Sequence, residues 1–155
     1  MASRPRRPKA FYDTSVLVAA SVRAHPHHAA SVAVLAGATN NTGACAAHSL
    51  AELYATLTAL PLSPRIHPSD AFDAVNHRAR TLHYIALDAA EIEFAIREVA
   101  TRHAVSGQIY DALILAAAKR SKADIVYTWH VGHFRRLASE SLAARIQTPP
   151  PVSDR

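Results

Sequence analysis

Short apolar segments with strand character alternate with longer helical segments along almost the whole of this chain of 155 residues. We predict strands at 9–13, 43–47, 84–87, 125–128 and 145–148, with helical segments between them. His48 or Ser49 should cap the helix after the second strand, and Asp88 should cap the helix after the third. Strands that alternate with helices pair in parallel, because the chain crosses back over the sheet before each new strand. The sequence therefore predicts an α/β fold, a three-layer α/β/α sandwich with a mostly parallel central sheet.

A chain of this length is expected to form one domain. Half of its residues are hydrophobic, which is enough for a core that needs no disulfide bonds. We predict that this domain spans 9–148. A flexible basic arm at 1–8 precedes it, and a disordered proline-rich tail at 149–155 follows it.

The composition also bears on the compartment. Cys45 is the only cysteine, so the chain cannot form an internal disulfide, as is typical of proteins in reducing compartments. No segment approaches the ~18 consecutive apolar residues of a membrane span. We expect a cytoplasmic protein that does not enter a membrane.

Three acidic residues lie far apart in the sequence, each beside an apolar segment: Asp13, Glu52 and Asp111. Asp13 ends the first predicted strand, and the functional crevice of a parallel sheet lies beyond the carboxyl ends of its strands. Glu52 and Asp111 fall near the starts of predicted helices, where the helix dipole also favours a carboxylate. Singly, each is more often a cap or a surface residue; together they predict a shared site.

Carboxylates that converge in a fold repel one another unless a cation lies between them. Mg²⁺ and Mn²⁺ prefer such hard oxygen ligands, and either ion can polarise a phosphoryl oxygen and acidify a bound water. The chain carries a net charge of +5 and has a pI of about 9.8, which favours a polyanionic partner. The sequence therefore predicts metal-dependent hydrolysis of phosphodiester bonds.

Four segments carry a resemblance to a known family: FYDTSVL, SLAELYATL, YDALILAAA and TWHVGHF, in this order. Together they resemble the PIN-domain ribonucleases, and the resemblance covers about 9–148. Within that family, the length of the chain and the sequence of these segments resemble the VapC-type toxins. The resemblance implies a Mg²⁺- or Mn²⁺-dependent endoribonuclease with Asp13, Glu52 and Asp111 as metal-binding catalytic acids. A hydroxyl of Thr14 or Ser15 would hold a ligand or a metal-bound water, and cleavage of RNA would leave 5′-phosphate and 3′-hydroxyl ends.

The same resemblance implies partners. A VapC-type toxin belongs to a type II toxin–antitoxin pair, so we expect a cognate antitoxin whose tail enters the crevice and displaces metal with a basic side chain. It also implies a homodimer. Residues alone indicate neither partner.

His130 occupies the fourth catalytic position, where the family usually carries Asp or Asn. Imidazole is a poor ligand for Mg²⁺ and a tolerable one for Mn²⁺, so His130 could instead contact a phosphate, move a proton or be a surface residue at a strand end. This departure keeps open a non-catalytic RNA-binding PIN-like module, or a plain interaction subunit whose acids are helix caps.

Other polar clusters are less specific. His25, His27 and His28 lie too close together in a proline-containing loop to favour a zinc site. A second cluster is basic, and it could follow an RNA backbone or only solvate a surface; its members are Lys119, Arg120, Lys122, Arg135 and Arg136.

Overall fold

The computed structural model describes residues 7–153, and within this range the chain forms five strands and eight helices. In chain order these are β1 (Ala10–Tyr12), α1 (Thr14–Ser21), α2 (His28–Leu35), β2 (Gly43–Ala46), α3 (Ala47–Ala59), α4 (Pro68–Thr81), β3 (His83–Ile85), α5 (Ala89–Thr101), α6 (Gln108–Ser121), β4 (Ile125–Tyr127), α7 (Val131–Leu137), α8 (Glu140–Ala143) and β5 (Ile146–Gln147).

The strands form one sheet in the order β3-β2-β1-β4-β5, and every pairing is parallel. β1 is central, since Ala10 pairs with Gly43 on one side and with Ile125 on the other. The carboxyl ends of all five strands therefore lie at one edge of the sheet. The predicted α/β/α architecture is confirmed, and the sheet is entirely parallel.

Side chains that alternate along β1 enter two separate cores. Phe11 is fully buried on one face with residues of α6, α7 and β4, such as Ile114, Val126 and Phe134. Tyr12 is buried on the opposite face with residues of α1 to α4. Helices thus cover both faces of the sheet, and the edge formed by the strand ends is where polar residues gather.

Gly43, at the start of β2, allows a close approach between layers. A Cβ atom there would lie 2.9 Å from both Leu82 and Tyr12 side-chain atoms, so a larger residue would push β2 away from its neighbours.

Two local predictions differ from the structure. We expected His48 or Ser49 to cap α3, but the helix begins at Ala47 with Ala46 at the N-cap. Both polar side chains face other groups instead: Ser49 accepts a hydrogen bond from Thr14, and His48 lies beside Glu52. The short helix α8 was not predicted, because four residues are too few to show a period.

The ends of the described range contact the domain. Arg7 forms an ion pair with Asp124 at 2.6 Å, and Pro8 and Pro149 are buried. Residues 1–6 of the predicted arm and 154–155 of the predicted tail lie outside the described residues, so the domain limits stay predictions. Between residues 7 and 153, no helix has the length and apolar character needed to span a bilayer.

Candidate active site

Asp13 follows β1 directly and stands at the N-cap of α1, yet its carboxylate does not cap the helix. It is only 2% exposed, and its Oδ2 accepts hydrogen bonds from Ser15 Oγ at 2.6 Å and from Thr128 Oγ1 at 2.8 Å. Thr128 follows β4, the strand beside β1, so the parallel register brings its hydroxyl to Asp13. The carboxylate is therefore held by two strand ends.

Burial is the main cause that raises the pKa of Asp13, and the negative charge of Asp111 adds to it. The hydrogen bonds from Ser15 and Thr128 and the charge of His130 act in the opposite direction. Burial makes the ionised form of a carboxylate less favourable, and a nearby cation makes it more favourable. A buried carboxylate such as this one is therefore strongly stabilised by a cation beside it.

Glu52 lies on α3, within its second turn, and its carboxylate is half-buried. Burial, followed by the charges of Asp13 and Asp111, raises the pKa of Glu52 to about 7; the nearby hydroxyl of Thr14 opposes this. The dependence on both aspartates places the three carboxylates in one electrostatic neighbourhood.

His48 does not neutralise Glu52. Its Nε2 lies 3.3 Å from Glu52 Oε1, but the alignment is not that of a hydrogen bond, and both atoms are buried without a partner among the residues that the structure describes. Burial lowers the pKa of His48, so the ring is neutral near pH 7. Distance alone would indicate an ion pair, but geometry and charge indicate an unsatisfied carboxylate oxygen.

Asp111 lies in the first turn of α6, where the helix dipole favours its charge. Its Oδ2 is 2.9 Å from Nδ1 of His133, a residue of α7. The imidazole orients this carboxylate in the way that outer partners orient metal ligands.

His130 is exposed at the N-cap of α7, and its backbone N–H donates to Thr128 Oγ1 at 3.0 Å. Because its charge lowers the pKa of Asp13, its ring lies near that carboxylate. Thr128 thus connects His130 to Asp13 through one hydroxyl.

The structure brings the predicted acids to one edge of the sheet without closing them into a metal cage. Within 7–153, no three side chains of His, Cys, Asp or Glu have the spacing of a formed metal site. Like charges repel one another unless a cation offsets them. The donor set still fits a divalent ion: hard carboxylate oxygens, one of them buried without a hydrogen-bond partner.

Sequence reasoning did not name His133 or His48 as contributors to this site. Thr128 and His133 fall inside the TWHVGHF segment, but the sequence does not indicate which carboxylate each contacts. The sequence offered either Thr14 or Ser15 as the hydroxyl of the site. In the structure, the hydroxyl of Ser15 donates to Asp13, whereas that of Thr14 donates to Ser49.

Two members of the predicted basic cluster serve the fold. Arg120 contacts Glu91 at 2.5 Å near the last turn of α6, at the opposite end of that helix from Asp111. Arg135 donates to the carbonyl of Ile146 at 2.8 Å. Both guanidinium groups thus make contacts within the domain, and whether the basic cluster follows RNA or solvates a surface stays open.

A cavity of about 710 Å³ lies away from these acids, between α5, α6 and α8, and its walls include Phe94, Leu115 and Leu142. It contains none of the three predicted ligands. The predicted acids are therefore at the strand-end edge and not in this apolar cavity.

Comparisons with known proteins agree with this arrangement. The PIN domain family model matches residues 10–138. Ribonuclease VapC27 of Mycobacterium tuberculosis is 34% identical over 119 residues, which cover 77% of this chain and 83% of that protein. Ribonuclease VapC40 of the same species is 35% identical over 114 residues, covering 74% and 81%.

A solved structure supports the fold. Mycobacterium tuberculosis VapC20, described as a toxin that cleaves the Sarcin-Ricin loop, superposes with a TM-score of 0.69 at 18% identity and covers 91% of this chain and 99% of its own. The predicted family is confirmed, and with it a ribonuclease function. This chain belongs to the PIN-domain family, among ribonucleases of the VapC type.

Proposed function

We propose that this protein is a divalent-metal-dependent endoribonuclease in which Asp13, Glu52 and Asp111 hold Mg²⁺ or Mn²⁺. One observation carries the proposal: the pKa of Glu52 is raised to about 7 by burial and by the charges of the two aspartates, while its Oε1 is buried without a hydrogen-bond partner. A bound cation would relieve both conditions at once.

The ion would supply an acidified water and a polarised phosphoryl oxygen. The chain supplies positioning. Ser15 and Thr128 fix the Asp13 carboxylate, and His133 fixes that of Asp111, so the oxygens keep a defined arrangement while RNA binds. Cleavage leaves 5′-phosphate and 3′-hydroxyl ends, as the family resemblance implies.

His130 completes the site as a group that contacts the phosphate and not as a principal ligand. Its exposure and its charge near Asp13 support this role, and imidazole is a poor ligand for Mg²⁺. A cationic ring beside the scissile phosphate would offset its negative charge.

We further propose that the protein acts as the toxin of a type II toxin–antitoxin system in the cytoplasm, and that it forms a homodimer. The VapC relatives support the toxin assignment. A basic side chain from the antitoxin would pair with the crowded carboxylates and displace the ion, because a guanidinium offsets the same repulsion.

RNA cleavage assays with purified protein test the proposal. Wild type should cleave single-stranded RNA with Mn²⁺ or Mg²⁺ and lose this activity in EDTA. Asp111→Asn should be inactive with either ion, whereas Asp124→Asn, a control at an exposed aspartate paired with Arg7, should cleave as wild type does.

Metal-dependent cleavage that persists in Asp111→Asn would contradict the site assignment. Wild-type protein that binds RNA but never cleaves it would instead favour the non-catalytic RNA-binding module, for which the unusual His130 is the motivating observation.

A further inference from the structure

His27 and Trp129 form a stacked aromatic pair. Their ring centroids are 3.8 Å apart and their planes differ by 10°. Trp129 follows Thr128 at the end of β4, while His27 belongs to the loop before α2, so the pair joins two distant segments. The proposed chemistry makes no use of either ring.

The hydrogen bonds of Trp129 fix its position relative to Asp13. Its backbone N–H donates to Ser15 Oγ at 3.1 Å, and the same hydroxyl donates to Asp13 Oδ2 at 2.6 Å. At the other end of the residue, the indole Nε1 donates to Ser31 Oγ at 2.9 Å. Trp129 is therefore held by its indole and by its backbone, and the backbone contact links it through Ser15 to Asp13.

The two residues of the pair differ in burial. Trp129 is partly buried and packs against the core cluster that contains Val16 and Leu17. His27 is exposed, and its backbone N–H donates to Nδ1 of His25 at 3.1 Å, which orders the loop. Since the indole covers one face of an exposed imidazole, aromatic surface of His27 remains open to solvent.

An exposed ring that is stacked on an anchored tryptophan is not explained by core packing. Single-stranded nucleic acids bind to such rings, because every base has a π face and stacking on aromatic side chains favours binding. We propose that the His27–Trp129 pair is a stacking platform for a base of the single-stranded RNA substrate, next to the phosphate that is cleaved. This inference rests on the proposed RNA cleavage at Asp13.

The platform orients the strand and does not select its sequence, since all bases stack. It supplies binding that is equal in the ground state and the transition state, because the stacked base lies outside the reacting phosphate. Its loss should raise KM and leave kcat unchanged.

Three variants of the full chain test the platform. His27→Ala removes the outer ring, and His27→Phe keeps an aromatic ring without the imidazole nitrogens. His83→Ala is the matched control, because His83 is also exposed but lies at the amino end of β3, on the opposite edge of the sheet. Binding is measured in EDTA by anisotropy of a labelled single-stranded RNA of mixed sequence, and cleavage is measured with Mn²⁺.

His27→Ala should weaken RNA binding and raise KM about tenfold, with kcat unchanged. His27→Phe and His83→Ala should match wild type. Trp129 is the only tryptophan, so its emission reports on the platform directly. RNA should change that emission in the wild type, and the same RNA with abasic nucleotides should change it less.

Equal RNA affinity of His27→Ala and His83→Ala would overturn the proposal. Binding by His27→Phe that is as weak as that of His27→Ala would also overturn it, because the imidazole and not stacking would then be responsible. If wild type cleaves RNA and His27 has no effect, only the platform fails. If wild type never cleaves but its binding depends on an aromatic ring at residue 27, only the proposed catalysis fails.

Discussion

Two helices of this protein begin with an aspartate at the N-cap, and the two aspartates have opposite surroundings. Asp88 starts α5 with a capping box: its side chain accepts from Glu91 N–H at 2.9 Å, and Glu91 Oε2 accepts from Asp88 N–H at 2.8 Å. Asp13 starts α1 and is buried, but it makes no capping bond and faces Ser15 and Thr128. The comparison separates an acid that stabilises a helix from one that is buried and held by two side-chain hydroxyls.

The difference shows what an acid at a helix start can indicate. An exposed Asp88 satisfies backbone donors and needs nothing further. Asp13 sits at the same kind of position, yet its pKa is raised, principally by burial. Carboxylates with pKa values raised in this way are concentrated at functional sites, which is why Asp13 is a candidate and Asp88 is not.

The largest effect is expected for Asp13→Asn. RNA cleavage with Mn²⁺ should fall by more than about 100-fold, since loss of even the outer partners of a metal commonly costs about 10- to 100-fold. The melting temperature should not fall, because asparagine can still accept from Ser15 and Thr128 and removes a buried charge. A large loss of stability in Asp13→Asn would show that Asp13, like Asp88, serves mainly to stabilise the fold.

Thr128→Val should have a smaller effect, about 10-fold on cleavage, because it frees the Asp13 carboxylate without removing it. Metal affinity, measured by calorimetry with Mn²⁺, should fall in parallel. Thr81→Val is a matched control, since the Thr81 hydroxyl bonds only within α4, to the His77 and Arg78 carbonyls. Equal activity of both variants would show that the strand-end hydroxyl does not position Asp13.

The raised pKa of Glu52 predicts that the stability of the metal-free protein depends on pH. Its folded-state pKa of about 7 lies above the ordinary value of 4.5, so the folded state binds the proton more tightly than the unfolded state does. This group therefore favours folding below about pH 4.5 and loses that contribution as the pH rises to about 7. Melting curves in EDTA for wild type and Glu52→Gln should diverge across this window.

Glu52→Gln should be relatively more stable at pH 8 than at pH 5 when compared with wild type. Saturating Mn²⁺ should reduce the difference at pH 8, because an ion that binds only the folded state stabilises it. An equal difference in melting temperature between the two proteins at pH 5 and at pH 8 would contradict the raised pKa of Glu52.

The smallest effect is expected for Asp88→Ala. It should reduce the free energy of unfolding by about 1 kcal/mol, the usual value of an N-cap, and leave RNA cleavage unchanged. Chemical denaturation and the same cleavage assay measure both quantities. Lost activity in this variant would show that α5 contributes to the site.

Much of the fold follows from local sequence. The alternation of strands and helices predicts the parallel sheet, and Asp88 predicts the start of α5. The three acids can be named because each follows a strand or begins a helix. These features depend on neighbours along the chain, which sequence patterns report.

The remainder depends on contacts between distant residues. Thr128 reaches Asp13 across 115 positions, and His133 meets Asp111 only after α7 packs beside α6. Ser49 was predicted as a cap for α3, but its hydroxyl is used by Thr14. Side-chain partners at the strand-end edge are set by register and helix packing, which no single segment encodes.

A crystal structure of the protein with Mn²⁺, with anomalous scattering recorded to locate the ion, tests the central claim most directly. The account predicts one strong anomalous peak in contact with carboxylate oxygens of Asp13, Glu52 and Asp111, and its loss in Glu52→Gln. Fully occupied Mn²⁺ bound elsewhere, with these three carboxylates uncoordinated, would contradict it.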